Sequence, residues 1–381
     1  MKICLIGGIY AKGGARSEYV KTTPETTLES GFRASAHDVT TLSHYDEADF
    51  GQFDVVHVHH LSYGAARLAS DPSRTPFVFT AHDASLMNGS PLSRPRRLAM
   101  RYVMSRADGV VSLSEAEGRF QQNTYPLEGA VQATIANGVS PELFPFTPRS
   151  NEAPPVSSFR ILFAGQLIPL KRCDLLFKAL AMLPPYVELE LVYQTATLEF
   201  ELKALAGSLG ISGRVKFLGK KSPAELASLY QTRDCLVLPS ETEALPSVIT
   251  EAMFSGLPFV ATTVGGIPEQ AGGFGVLVKP GSAESLATGL REVISNHRKF
   301  EGASQPMSNY ARSKFSIGSM VQKHLEMYQV LAGRKPRRHS WNPFPIDRFV
   351  RFAARMKGTG QAKGTRAVST AGKQKIAGER L

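Results

Sequence analysis

Cysteine is scarce: Cys4, Cys173 and Cys235 are the only three in 381 residues. So few and so scattered, they exclude a disulfide framework and a cysteine-built zinc site, and predict buried free thiols in a reducing compartment. Long apolar runs are absent too; none approaches the ~20 residues that a helix needs to span a bilayer. Met1 to Gly8 is too short for a signal peptide and reads as a first strand. No Asp-x-Asp occurs, so the chain lacks a paired-acid motif for holding a divalent ion against a phosphate. The glycines after the first strand, Gly7, Gly8, Gly13 and Gly14, let backbone approach a ligand but do not form a Gly-x-Gly-x-x-Gly fingerprint. The expectation is a cytoplasmic protein, at most peripheral on the inner face of a membrane, with neither a metal nor a dinucleotide cofactor.

Charge is present but unevenly placed. The net charge is +11, and residues 331–381 alone hold 13 Lys or Arg against 2 acids. The first 330 residues therefore carry 31 bases and 31 acids, which cancel, and a nucleic-acid-binding body is disfavoured. The length suffices for two domains, each with its own core.

The body alternates short apolar runs with helical periods, the pattern of parallel sheets covered by helices. Strands are predicted at Ile3–Ile6, His37–Leu42, Asp54–His60 and Phe77–Asp83. A helix is predicted from about Arg16 to Ser30, broken or delayed by Pro24. His57 and His59 alternate onto one face with His60 beside them; structural or acceptor-site histidines fit that spacing better than a metal site, because no third ligand or outer shell is visible. Arg94 to Arg106 reads as a helix with a basic side, chiefly a solvated face. Asn137-Gly138 is predicted to turn the chain before a Pro-, Ser- and Asn-rich linker at residues 145–158. After it, strands are predicted at Phe159–Gly165, Leu189–Tyr193, Arg214–Gly219, Cys235–Leu238, Phe259–Thr262 and Val276–Val278, with a short helix over Glu225–Tyr230 and a last one over Phe315–Leu331.

One stretch organises the rest. After the strand Cys235–Leu238 comes a loop with two acids, Glu241 and Glu243. A helix follows, with Pro246 in its first turn, its apolar face on Val248, Ile249, Ala252 and Met253, and a stop at Gly256 and Pro258. The N-terminus of that helix points unpaired N–H groups, around Leu245, Ser247 and Val248, at whatever precedes it, which suits a phosphate or diphosphate. Two carboxylates beside an anion site, Glu243 and Glu251, serve hydroxyls on either side of it. A sugar and a ribose flanking a diphosphate make a nucleotide-sugar. A capped βα unit with two solvated glutamates explains this stretch equally well when it is taken alone.

Glu243, seven residues, then Glu251, with Glu-Ala-Met-x-x-Gly-x-Pro and Gly265-Gly-Ile-Pro-Glu269 behind it, resembles the signature of the retaining glycosyltransferases of family 4, over roughly residues 1 to 330. The resemblance implies the α/β GT-B fold: an N-terminal Rossmann-like acceptor domain (1–144), a linker (145–158), a C-terminal Rossmann-like nucleotide-sugar domain (159–314), and a helix (315–332) crossing back to the first. It implies that a sugar passes from a nucleoside-diphosphate sugar to a glycan or lipid-linked acceptor, as in cell-surface polysaccharide or glycolipid synthesis, without metal or cofactor. Carried over position by position, it sets His82 against the donor sugar, Lys171 on the diphosphate, Glu243 on sugar hydroxyls and Glu251 on the ribose. Gly14, Gln166, Gly219, Ala244, Leu245, Pro246 and Ser247 complete the donor site. Gln166 stands where the family usually has arginine, which removes a permanent charge and a bidentate fork. A nucleotide-sugar binding protein without turnover, or a nucleotide-sugar epimerase on the same plan, are the alternatives.

The tail, residues 333–381, changes character. The cluster Arg334-Lys-Pro-Arg-Arg338 precedes a stripe of Ile346, Phe349, Val350, Ala353 and Met356 among arginines. That pattern predicts a basic amphipathic helix over about 346–357, suited to an anionic membrane surface, and then a disordered end.

Overall fold

The computed structural model describes residues 1–10, 23–44, 46, 48–70, 75–82, 93–148 and 158–334. Gly13, Gly14, most of the linker and the predicted tail helix at 346–357 lie outside the described residues.

Six short strands form a first, all-parallel sheet: β1 (Lys2–Ile6), β2 (Asp38–Leu42), β3 (Val55–His59), β4 (Phe77–Thr80), β5 (Gly109–Ser112) and β6 (Val131–Thr134), in the order 2-1-3-4-5-6. Six more form a second: β7 (Phe159–Ala164), β8 (Val187–Val192), β9 (Val215–Gly219), β10 (Cys235–Leu238), β11 (Phe259–Thr262) and β12 (Val276–Val278), in the order 12-11-10-7-8-9. Strands such as Val55–His59, Phe77–Thr80 and Cys235–Leu238 are buried along their whole length, as continuous apolar runs in covered parallel sheets must be. All three cysteines are buried free thiols, and burial pushes those of Cys4 and Cys173 up to about 12. Among the described residues no helix is long and apolar enough to cross a membrane.

Each sheet has its own core. The second packs around Phe163, Phe177, Met253 and Phe254. The first, around Ile3, Leu5, Phe32 and Val55, is completed by Met320, Val321, Met327 and Tyr328 from the far end of the described chain. The last helix thus packs on the core of the first sheet, and both sheets belong to one unit, Met1–His339.

Several element boundaries differ from expectation. The first helix starts at Pro24 and runs to Ala34; Thr23 caps it by accepting the Thr26 N–H, and the proline occupies the first position, where a missing donor costs nothing. Residues 16–22 lie outside the described residues. The helix expected over Glu225–Tyr230 extends from Pro223 to Thr232, because Ser222 and Glu225 form a reciprocal capping box. The last helix, expected over Phe315–Leu331, runs Ile317–Ala332; a separate helix that was not expected, Ser304–Phe315, precedes it, and Ser316 between them starts the last one by accepting the Ser319 N–H on its hydroxyl. Asn137-Gly138 makes no turn. Gly138 lies where a Cβ would come within 2.8 Å of Ile317 Cα, so the glycine lets the chain after β6 pass against the last helix. Val139 then bridges to Ser316.

Candidate active site

In an open α/β sheet, ligands bind beyond the carboxyl ends of the strands, where the strand order reverses. In the second sheet that point lies between β7 and β10. Chain leaving β7 runs through Gly165 and exposed Gln166 to a single 3-10 turn, Pro169–Lys171; chain leaving β10 forms the acidic loop. Lys171 Nζ donates to Glu243 Oε1 at 2.5 Å, and Ser240 Oγ donates to the same oxygen at 2.7 Å. Glu243 is only 8% exposed, so its charge is met by a cation and a hydroxyl rather than by water. Arg172 turns away: it adopts a left-handed backbone (φ 48°) and pairs with Asp174 and Glu241.

The helix after the loop spans Ser247–Phe254; Pro246 sits one place before it, at the N-cap, rather than within its first turn. Gln270, buried, holds this end by donating from Nε2 to Pro246 O (3.0 Å) and to Thr250 Oγ1 (2.8 Å). Gly256 takes φ +74° behind the helix, as its C-terminal position predicts. Glu251, partly buried in the second turn, accepts the Tyr230 phenol through Oε2 at 2.8 Å. Burial raises its carboxyl to about 7, against the lowering effect of that phenol. Gly219 ends β9. The acidic loop is seated by Gly265 and Gly266. Gly266 N–H donates to Ala244 O at 2.9 Å, and a Cβ on Gly265 would fall 1.6 Å from Glu243 O.

The reversal in the first sheet lies between β1 and β3. There Gly8, His44, His60 and His82 face the acidic loop across a cleft of about 570 Å³, together with Glu25, Leu113, Asn137, Glu243, Ala244 and Leu245. The cleft thus brings the predicted His82, Glu243, Ala244 and Leu245 onto shared walls, with Lys171 joined through its ion pair. Gln166, Gly219, Pro246, Ser247 and Glu251 are not among its lining, and Gly14 lies outside the described residues. Close to the cleft, Glu269 accepts the Glu115 N–H at 2.8 Å and ties the two halves.

Behind His82 stand more histidines. His82 Nε2 is 2.8 Å from His59 Nδ1; His59 stacks on His57 with ring centroids 4.3 Å apart; His57 contacts His324 at 5.4 Å. His60 Nε2 is 2.9 Å from Glu25 Oε1. Burial holds His44, His82 and His324 down at about 4, and His57 and His59 well below the ordinary imidazole value; neighbouring rings add to the effect on all of these but His324. Burial would raise the Glu25 carboxyl, but the His60 hydrogen bond and the rings of His59 and His82 outweigh it and hold it well below the carboxylate range.

Sequence reasoning missed Glu25, His44, Ser240, Tyr230 and Gln270. His44 follows the carboxyl end of β2, so the rule that singled out His82 applied to it as well. Ser240 lies in the acidic loop itself, three residues before Glu243, and was legible there; Glu25, Tyr230 and Gln270 reach the site through contacts that no local motif encodes.

Comparison with known proteins agrees with this architecture. The family model described as Glycosyl transferases group 1 matches residues 147–314, and that described as Glycosyltransferase Family 4 matches residues 24–143. The D-inositol 3-phosphate glycosyltransferase of Mycolicibacterium smegmatis is 31% identical over 301 residues, 73% of this chain and 67% of that protein. Its counterpart from Mycolicibacterium gilvum is 32% identical over 268 residues, 64% of this chain and 59% of that protein. The chain thus spans 59% to 67% of the length of these two relatives. Among solved structures, sucrose-phosphate synthase from Thermosynechococcus elongatus superposes with a TM-score of 0.73 at 18% identity, covering 87% of this chain and 99% of that one. HepE from Anabaena, in complex with UDP-glucose, superposes with a TM-score of 0.68 at 22% identity, covering 88% and 100%. Two sheets of these strand orders, an acidic loop at the reversal of the second, and family models matching both halves in sequence lead to one assignment: the chain belongs to glycosyltransferase family 4, the glycosyl transferases group 1, on the GT-B fold.

Proposed function

We propose that the protein is a retaining, metal-independent glycosyltransferase that moves a sugar from a nucleoside-diphosphate sugar to a hydroxyl of a glycan or lipid-linked acceptor. The carrying observation is the Lys171–Glu243 pair at the strand-order reversal, facing His82 across the cleft. A diphosphate entering beside the Ser247–Phe254 helix meets its unpaired N–H groups and draws the Lys171 ammonium from Glu243. Glu243 then accepts hydroxyls of the sugar, and Glu251 those of the ribose. As the anomeric C–O bond breaks, charge grows on the leaving diphosphate, where Lys171 and the helix N-terminus stabilise it. The acceptor oxygen bonds to the anomeric carbon on the same face and its proton passes to the departing phosphate oxygen, so no protein nucleophile is required. A retaining glycosidase would need two carboxylates about 5 Å apart astride the bond; Glu243 is engaged by Lys171 and Ser240, and Glu251 by Tyr230. The UDP-glucose bound to HepE supports a uridine nucleotide as the first donor to try.

The charge excess of residues 331–381 supports docking on an anionic membrane, which suits a lipid-linked acceptor. Gln166 favours a second reading, a nucleotide-sugar binder without turnover, since Lys171 is left without the usual arginine beside it. Incubation with a panel of nucleotide-sugars and acceptors, with NMR of the product's anomeric centre, tests the proposal. Transfer with retained configuration is expected; binding without transfer, inversion, or epimerised donor overturns it.

A further inference from the structure

His82 and His59 meet nitrogen to nitrogen, Nε2 to Nδ1 at 2.8 Å, so a single proton lies between them when both rings are neutral. Burial holds both rings below the ordinary imidazole value, which keeps them neutral near pH 7. Two arrangements exist. In one, His82 donates, and the remaining proton of His59 sits on Nε2. That nitrogen is buried and has no hydrogen-bond partner among the described residues. In the other, His59 donates from Nδ1 and leaves only a lone pair at that buried position. Orphaned buried N–H groups are rarer than orphaned acceptors, so the second arrangement is the favoured one. The void beside His59, about 10 Å³, is at the lower limit for a single water. One face of the His59 ring lies against His57 (centroids 4.3 Å apart, 27° between planes), and His82 meets its edge through the N–N contact, with centroids 5.1 Å apart; His57 in turn is held through both nitrogens, by Thr80 Oγ1 at 2.7 Å and by Tyr328 OH at 2.6 Å. His82 itself has a left-handed backbone, φ +49°, a conformation kept only where the surroundings enforce it.

We propose that His59 is a positioning residue: by donating its Nδ1–H to His82 Nε2 it confines the proton of His82 to Nδ1, so that His82 presents a hydrogen-bond donor to the cleft and receives an oxygen of the bound nucleotide-sugar. This rests on the glycosyltransferase reading for the ligand, but not for the tautomer. The hydrogen bond on one imidazole nitrogen decides which form the other takes. A neutral His82 with its proton on Nε2 would instead turn a lone pair towards the cleft and repel an oxygen acceptor.

The test is long-range ¹H–¹⁵N correlation on the full chain with ¹⁵N-labelled histidine near pH 7.5, with His82 assigned by its loss in His82→Gln. The Nδ1-protonated form is expected for His82. In His59→Phe, which keeps a flat apolar ring but no donor, His82 should change to the Nε2-protonated form. In His59→Asn, whose amide N–H occupies the place of Nδ1–H, it should stay Nδ1-protonated. With a nucleotide-sugar donor, kcat/KM should fall roughly 10- to 100-fold in His59→Phe, the worth of one buried hydrogen bond, and recover most of that in His59→Asn. His82 protonated on Nε2 in the unsubstituted protein overturns the inference, and that measurement stands even if His59→Phe does not fold. Equal activity of His59→Phe and the unsubstituted protein also overturns it. If no nucleotide-sugar is turned over, the functional reading fails while the tautomer is still decided by the spectrum.

Discussion

Lys171 and Glu243, 72 positions apart in the chain, meet at 2.5 Å where the strand order of the second sheet reverses. Each is mostly shielded, with side chains 20% and 10% exposed. Lys171 and Glu243 therefore satisfy each other out of water, and on the proposed mechanism a diphosphate competes with Glu243 for the ammonium. Lys171→Met should reduce kcat/KM by roughly 10²- to 10³-fold, the scale for removing one group that stabilises developing charge. It should also lower Tm, because Glu243 keeps only Ser240 as a partner. Lys171→Met/Glu243→Gln should regain Tm but not activity. Steady-state kinetics and thermal melts on both variants check this; recovered activity in the double variant would contradict the role of Lys171.

Glu251 makes the stability of the fold depend on pH. Its carboxyl is raised from 4.5 to about 7, with burial as the main cause. Between those values the folded protein holds a proton that the unfolded chain has released, so stability falls as pH rises through this window. The slope is at most about 1.4 kcal/mol per pH unit, less for a partly exposed group. Glu251→Gln should remove that term: the Tm of the variant relative to the unsubstituted protein should climb from pH 4.5 to 7 and then level. Glu251→Ala should weaken nucleotide-sugar binding by roughly 1.5–3 kcal/mol. Unchanged affinity by calorimetry would take Glu251 out of the donor site.

The histidines act in the opposite sense. His44, His57, His59, His82 and His324 are all depressed below 6.5, three of them to about 4. As pH falls below 6.5 the unfolded chain takes up protons that the folded one refuses. Their stabilisation is complete above 6.5 and is lost progressively towards pH 4. Five groups outweigh one Glu251, so Tm should drop steeply over this range, and His57→Gln should make the drop shallower. A flat Tm between pH 6.5 and 4.5 would show that the column is not buried neutral in solution.

Gly265 and Gly266 support Glu243 from behind. Gly265 has φ +53°, and a Cβ on Gly266 would lie 2.4 Å from Ala244 O. An alanine at position 265 adds a left-handed strain of about 1–2 kcal/mol and pushes the Glu243 backbone towards the cleft. Gly265→Ala should lose both Tm and kcat/KM, whereas Gly213→Ala, which meets nothing within 4 Å, should keep both. Equal behaviour of the two variants would separate the loop from catalysis.

Transfer should persist in excess EDTA. On the proposed mechanism the diphosphate is met by Lys171 and backbone N–H groups, and no acid pair is reserved for a divalent ion. Complete loss of transfer with chelator, restored by Mn²⁺ or Mg²⁺, would refute that mechanism.

Although it missed the strand Val131–Thr134 and the helices Tyr63–Ser70, Glu199–Ser208 and Ala283–Ser295, local pattern alone was enough to lay out most strands of both sheets, the acidic loop with the helix behind it, and the histidine at the end of β4. Each depends on residues within one or two turns of each other, and the period of apolar positions reports them directly. Helix starts were legible only where a capping residue was weighed as heavily as the period: Thr23 and Ser222 moved two of them. Asn137-Gly138 misled because a glycine that permits close approach reads the same as one that permits a turn; Ile317, its neighbour in space, is far away in sequence. What only the folded chain decided is how charges and protons are shared. Lys171 with Glu243 (72 positions apart), His59 with His82 (23), His57 with Tyr328 (271) and Tyr230 with Glu251 (21) are pairings between segments that no periodicity connects. The strand order brings these segments together, and the low polarity it creates around them determines which groups keep their protons.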